Sequence, residues 1–493
     1  MIVVGADASN AFAEAPSPKA PLYVVVDQQF REWWRKQGKG EIPKGYIMKV
    51  KHALQDHPES PRLWAKMIDE IIRTHVGLQP TSHEPCLYEG TIDGEKVLFL
   101  RQVDDFAVAC KNVEISNKVI DLISAHLSAP MKHLGIIDRF NGIDIDQTQD
   151  YIKVHNKTLL AKILKSRKWY TDTEKQPVNP LPMRDDNAYI KILDTAQGPV
   201  EEDKKQELED EMGFSYRGAL GEALFAMITC RPDISFAIIK LSKFANSPAR
   251  EHYVALKKVF RYLRATIDDE IIYWRPNTNR SEHLKQSKAP LIYHQHSKPL
   301  PTIDKTQLIG SVDSDWAADL QTRKSVSGIV MHMAGGAVHY KTKFQEGIAH
   351  SSTEAEFVAA CDTAKIALYL RSILDGIGIP QHEATALMED NDGALMMANA
   401  GQPTRRTRHM DIKYFGIQDW VEDDLVILEA IHTSNNSADH LTKALSRTAF
   451  YKHNDVTMGR IQPQYYKGEL KPTYRSIKNT NMQQMPQLEN LQQ

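Results

Sequence analysis

The order of apolar runs between residues 305 and 455 constrains this chain more than any other feature. Three β-prone runs come first, at 307–313, 326–333 and 336–343. A helical stretch from about 354 to 374 follows, then a strand at 384–389, helices near 392–400 and 409–423, a strand at 426–432 and a helix at 437–445. Two hydrophobic periods alternating in this way describe an α/β unit. With 493 residues the chain is too long for that unit alone, so two or three compact units are expected.

Residues 1–110 read as another mixed α/β region. Strands are expected at 1–7 and 22–26, and a helix at 61–76 begins at Pro61 with Leu63, Met67, Ile71 and Thr74 on one face. VLFLRQ and FAVAC flank VDD as the arms of a tight hairpin. The run EEDKKQELEDE at 201–211 is a solvated connector or an exposed helix. Helical patterning returns at 214–229, 232–245 and 249–265, with Phe236, Leu241, Phe244, Leu256, Phe260 and Leu263 as core. Residues 276–304 read as a linker, and the Gln- and Asn-rich tail from about 460 as disordered.

Composition excludes some classes. No continuous apolar stretch approaches the roughly 20 residues of a membrane span, so no membrane partner is expected. The opening MIVVGADASNAFAE lacks the basic start of a secretory signal. Cys86, Cys110, Cys230 and Cys361 stand far apart, as reduced intracellular thiols do, and no Cys/His spacing suits a structural zinc. The net charge of −2 argues against a simple DNA-coating protein but leaves room for a local basic track.

Acids punctuate the later unit. Asp313 closes an apolar strand in LIGSVDSDW, and SSTEAEF opens a helix with Ser351/Glu354 and Thr353/Glu356 both spaced as capping boxes. Asp390 ends ATALMED, and Asp439 starts the helix of NSADHLTKAL. Singly, each suits a turn, cap or wet helix face. Together, four acids on four elements suit two divalent cations about 3.5–4 Å apart, which activate water and offset charge on phosphoryl oxygens. Only one of Glu354 and Glu356 need turn inward, and Glu356 is favoured because Phe357 and Ala359 fit the packed side. Arg405, Arg406 and Arg408 form a cationic segment suited to backbone phosphates, with Lys341, Lys343 and Lys413 as extensions; Arg408 and His409 also suit bracing of the next helix. In the earlier region, Asp7 after a short strand and Asp104–Asp105 in the hairpin form a second acidic set, of the kind polymerisation needs to hold Mg²⁺.

These segments resemble the Pol polyprotein of Ty1/copia-type retrotransposons over about residues 1–455. DSDWAAD, SSTEAEF, EDN, RRTRHMDIKYF and ADHLTK are similar to the family's ribonuclease H segments. ADASNAFAE, ALQDHPESPRLW and QVDD are similar to its reverse transcriptase segments, and 213–265 to its connection region. The resemblance implies α/β and α+β folds: an incomplete reverse-transcriptase palm/thumb-like region, then a ribonuclease H-like mixed-sheet domain. It implies catalytic and metal-ligating roles for Asp313, Glu356, Asp390 and Asp439, and for Asp7 and Asp104 with Asp105 completing the set. Phe12 would screen the ribose 2′-hydroxyl, a role compatible with its being core; Gln55 and Ser60 would lie along the nucleotide. Arg405, Arg406, Arg408 and His409 would meet nucleic acid, His409 as a proton-transfer helper.

The implied activities are RNA-directed DNA polymerisation and hydrolysis of RNA in RNA–DNA hybrids. The implied cofactors are two Mg²⁺ per site, with Mn²⁺ as a substitute, and the partners are hybrid, primer–template, deoxynucleoside triphosphates and other Pol or Gag products. The location would be a cytoplasmic particle or the nucleus. Three departures bear on polymerisation: Gln102 stands for the usual Tyr, Asp56 for the usual Gly, and the family's fingers would precede Asp7. Hybrid hydrolysis is therefore the activity expected to persist, against a catalytically inactive or repurposed nucleic-acid-binding remnant. The expected divisions are 1–170 (partial palm), 171–212 (acidic connector), 213–275 (helical connection), 276–304 (linker), 305–455 (ribonuclease H-like) and 456–493 (tail).

Overall fold

The computed structural model describes residues 1–170, 180–275, 306–399 and 414–461. The expected linker at 276–304, most of the tail, Lys413, and the segment carrying Arg405, Arg406, Arg408 and His409 lie outside the described residues. The described chain divides into two compact units, residues 1–141 with 376–378, and 142–375 with 379 onward. The break therefore falls at 141/142 rather than 170.

The first unit is built on β1 (Ile2–Asp7), β2 (Tyr23–Val25), α1 (Gln28–Lys36), β3 (Ile47–Lys49), α2 (Ser60–Ile71), β4 (Gln79–Pro80), β5 (Leu87–Ile92), β6 (Glu95–Gln102), β7 (Asp105–Cys110), α3 (Val113–Ser124) and β8 (Lys132–Ile136). Six strands form one sheet in the order β4-β5-β6-β7-β1-β8, and β2 pairs with β3 apart from it. The core joins Val4 and Ala6 of β1, Phe99, Phe106 and Val108 of the hairpin, Trp64 and Ile68 of α2, and Val119, Ile120 and Ile123 of α3. The buried stripe of α2 runs through Ser60, Trp64, Ile68 and Ile71, so Leu63 and Met67 flank the expected face rather than centre it. The bulk of the Trp64 indole takes the inward position, and a π-helical turn at Ile72–Val76 ends the element.

In the second unit β9 (Ile143–Gln147) and β10 (Tyr151–His155) form a hairpin, and β10 pairs with β11 (Ile271–Trp274). Between them come α4 (Lys157–Ser166), α5 (Asn187–Thr195), α6 (Glu202–Met212), α7 (Tyr216–Thr229), α8 (Ser235–Ser242) and α9 (Arg250–Ala265). The acidic run is thus an exposed helix with no buried residue. Leu160, Leu220, Leu241, Leu256, Phe260 and Leu263 share one core with Phe450 and Tyr451, which ties this helical region to the end of the chain. Here lies the reason for the early break: α4 packs within this core, and β10 before it pairs with β11.

The remaining elements are β12 (Ile309–Asp315), β13 (Val326–Met333), β14 (Gly336–Phe344), α10 (Ser352–Gly376), β15 (Thr385–Glu389), α11 (Asp392–Ala398), α12 (Gly416–Glu422), β16 (Val426–Ala430), α13 (Asp439–Thr442) and α14 (Arg447–Thr457). Five strands make a mixed sheet in the order β14-β13-β12-β15-β16, antiparallel from β12 to β14 and parallel from β12 through β15 to β16. The central strand β12 is buried on both faces from Ile309 to Ser314, its polar Ser311, Asp313 and Ser314 included. Packing continues past 455: Met458 is fully buried and Arg460 pairs with Asp455 at 3.1 Å and Asp269 at 3.0 Å. The tail expected from 456 therefore begins within packed structure.

Candidate active site on the five-stranded sheet

β12 sets the site. Asp313 lies within the strand, two residues before its end, and is 2% exposed. Its antiparallel partner is Gly328. A Cβ on Gly328 would stand 2.7 Å from Thr442 Cγ2 and 3.0 Å from the Ala438 carbonyl oxygen. The missing side chain lets α13 lie directly on the sheet, and the Thr442 hydroxyl then donates to Asp313 Oδ2. Asn436 reinforces the dock by donating from Nδ2 to the Val312 carbonyl at 2.7 Å.

The two glutamates of SSTEAEF separate cleanly. Glu354 stays at the helix start, where its N–H donates to Ser351 Oγ at 3.1 Å and its Oε2 accepts from the His350 N–H at 2.9 Å. That is the first capping pair; Thr353 instead has its hydroxyl 3.3 Å from Asn391 Oδ1, so the second is not formed. Glu356, one helical step inward, is buried, and among the described residues nothing donates to its Oε2. Asp390 follows β15 directly, while Asn391 caps α11 by accepting from the Gly393 and Ala394 N–H groups at 3.0 and 3.1 Å. Among the described residues, Asp313, Glu356 and Asp390 form the one acid group whose ligand atoms all lie within 4.8 Å of one another.

Asp439 lies outside that group. It starts α13 as expected, but its Oδ1 is 3.1 Å from Lys443 Nζ, which also stands 3.6 Å from Asp313 Oδ2. The expected four-ligand set is thus divided into a triad and an ion-paired acid. Burial, then Glu389, Asp313 and Asp390, push the Glu356 carboxyl far above the glutamate range. Burial and Asp313 raise Asp439 against the pull of Lys443, and burial raises Asp390. Burial opposes the Lys443 charge, yet Asp313 and Asp439 outweigh it and hold the ammonium protonated. Sequence reasoning missed Glu389, Thr442 and Lys443. Glu389 is fully buried beside the triad, with Oε1 accepting from the Asn391 N–H at 2.9 Å. Its position in the strand-ending MED, and the Thr–Lys pair of ADHLTK, were the available signals.

The first unit brings its acids together by register. Asp7 and Asp105 face each other as Cα partners across β1 and β7, and the Ala8 N–H donates to the Asp104 carbonyl at 2.9 Å. Asp104 is exposed and the other two are half-buried. Burial, then Asp104, raise the Asp105 carboxyl. Val103 in the turn has φ +56°, a strained value for a β-branched residue, and Trp64 Nε1 donates to its carbonyl at 2.7 Å. Phe12 is half-buried against the core, Gln55 is exposed, and Asp56 has φ +66°, which explains why glycine suits that position. Ser60 is fully buried and its hydroxyl donates to the Leu54 carbonyl at 2.6 Å, so it shapes the turn instead of facing a nucleotide. Lys343 is paired with Asp362 at 2.5 Å, which removes it from a free basic track.

A family model described as reverse transcriptase (RNA-dependent DNA polymerase) matches residues 30–180. The retrovirus-related Pol polyprotein from transposon TNT 1-94 of Nicotiana tabacum is 27% identical over 411 residues, covering 83% of this chain and 28% of that protein. Over most of its length the chain is similar to the Pol polyproteins of copia-type retrotransposons. It spans about a quarter of the length of the curated Pol relatives it matches. The secreted RxLR effector protein 161 of Plasmopara viticola is 32% identical over 155 residues, which is 31% of this chain and 90% of that protein. A foamy viral protease-reverse transcriptase in complex with dsDNA shares 13% identity, with a TM-score of 0.39 over 88% of this chain and 68% of that one. The likeness to retrotransposon Pol polyproteins and the mixed α/β architecture meet the expectations drawn from the motifs. All four cysteines are free thiols.

Proposed function

We propose that the second unit hydrolyses the RNA strand of RNA–DNA hybrids in a reaction that depends on divalent cations. One observation carries this reading: three carboxylates from β12, α10 and the end of β15 converge within 4.8 Å in a largely buried setting. Buried carboxylates repel one another unless a cation joins them. The unpartnered Glu356 Oε2 fits such a ligand, and the all-oxygen donor set suits Mg²⁺ or Mn²⁺. Asp313, Glu356 and Asp390 would hold the ion. When bound, it supplies Lewis acidity toward a phosphodiester and its attacking water. Asp313 is oriented for this by the Thr442 hydroxyl, and the N-cap at Asn391 fixes the backbone that carries Asp390.

The test is cleavage of a labelled hybrid in Mg²⁺ against the Asp313→Asn/Asp390→Asn double variant. Turnover lost in the variant supports the reading. Hybrid binding with no turnover in either protein would refute it and favour a nucleic-acid-binding remnant. A second reading, nucleotide addition in the first unit, is favoured by the Asp7–Asp105 register. Primer extension lost in Asp104→Asn would support it, and extension unaffected by that change would exclude this acid set.

A further inference from the structure

The site on the five-stranded sheet carries its own fixed cation. Lys443 follows α13, and its Nζ stands 3.1 Å from Asp439 Oδ1 and 3.6 Å from Asp313 Oδ2. The preceding residue, Thr442, donates to the same Asp313 oxygen. The stem of Lys443 thus leaves a backbone already docked on the central strand, in part because Gly328 admits α13 so closely. Its side chain keeps 35% exposure while Asp313 and Asp439 keep 2% and 7%. The ammonium therefore reaches inward from the rim to two buried carboxylates. The group within 4.8 Å omits Asp439 and contains Glu356, whose Oε2 has no donor among the described residues.

We propose that the Lys443 ammonium takes the place of a second divalent ion, so that this site loads a single ion at Asp313, Glu356 and Asp390. The inference rests on the hydrolytic reading above. A second ion bridging Asp313 and Asp439 would have to share their oxygens with an ammonium at ion-pair distance, and the two cations repel strongly in a site with little water. The demand for positive charge is unequal across the cluster. Lys443 lies within ion-pair distance of Asp439 and of one oxygen of Asp313, whereas among the described residues no cation is at such a distance from Glu356 Oε2, which also has no donor. Lys443 acts here as a positioning residue: it holds Asp313 and Asp439 together and keeps a point charge where phosphate oxygens would approach.

The decisive measurement counts ions instead of products. Bound Mn²⁺ is titrated by calorimetry and electron paramagnetic resonance on the full chain, with Asp7→Asn and Asp104→Asn present throughout to silence the first unit. One ion per chain is expected with Lys443 and with Lys443→Arg, which retains the charge. Two are expected in Lys443→Ala and in Lys443→Gln, with circular dichroism melts identifying any variant that fails to fold. Two ions of comparable affinity with Lys443 in place overturn the proposal, as does a single ion in every folded variant. Asp313→Asn/Asp390→Asn separates the two levels of the argument. If two ions bind and both are lost in that variant, the metal site stands and only the role of Lys443 falls. A count that the variant leaves unchanged removes the hydrolytic site, and the inference with it.

Discussion

Replacing Glu356 with glutamine should stabilise the metal-free second unit, and the size of the gain follows from pH. The Glu356 carboxyl is driven far above its ordinary value of 4.5 by burial and by Glu389, Asp313 and Asp390. For a group whose folded value is raised, its favourable contribution is complete below 4.5 and is lost as pH rises toward the folded value. In the unfolded chain it ionises freely, so the penalty at pH 7 is set by the roughly 2.5 pH units above 4.5, about 3 kcal/mol. The buried glutamine amide, with imperfect partners, returns about 1 kcal/mol of that. A net gain of about 2 kcal/mol at pH 7 should therefore fall to about zero at pH 5, where the penalty is only about 0.7 kcal/mol. Native-state hydrogen exchange of the β12 amides in EDTA reads this directly, free of the multi-step unfolding expected of a two-unit chain. Equal protection of Glu356→Gln and the wild type at pH 7, or a gain that does not fall toward pH 5, would refute the reasoning.

Other consequences are independent of that one. Saturating Mg²⁺ should protect β12 more at pH 8 than at pH 5, because burial and its acidic neighbours raise the Glu356 carboxyl to about 11 and an ion held there must displace that proton, which costs less as pH rises; equal protection at both pH values would count against it. Gly328→Ala should push α13 off the sheet, cost about 1–3 kcal/mol and lower hybrid cleavage at least tenfold, seen in a melt and a rate assay. Asp233→Ala leaves the fully buried Arg231 without the partner now 2.6 Å away and should cost about 3–5 kcal/mol by thermal or urea unfolding. Trp64→Phe removes the bond to the strained Val103 carbonyl, so exchange around Asp104 should rise while the global melt moves by only about 1 kcal/mol.

What the sequence disclosed followed its periodicities. The three strands before SSTEAEF, the helix after it and the VDD hairpin are all near their expected bounds because each combines a clear period with a turn or cap. Glu356 was separable from Glu354 because capping and packing residues lie on different helix faces. Glu389 was not legible: in a strand covered on both faces, a charged residue gives no sign of which side it meets. Lys443 and Gly328 were hidden for a related reason, since each matters only through a neighbour far away in sequence. Short elements were also missed. IDIDQ and YIKVH alternate well enough to have marked β9 and β10, and VEISNKVIDLIS has a clear helical face.

The two acid sets differ in one physical respect that decides how each would respond to a cation. In the first unit Asp104 is exposed and Asp7 and Asp105 are only half-buried, so water already screens their repulsion. An ion bound there would replace solvation that exists without it, and would add little to folding stability. In the second unit Asp313 and Glu356 of the triad are buried, and Glu389 beside them is sealed completely. Their charge is a cost borne by the folded state alone, so cation binding there is also folding free energy. Removing Mg²⁺ should consequently loosen β12 and α13 while leaving β1 and β7 nearly unchanged. Uniform loosening in both units would mean that burial does not govern how these acids behave.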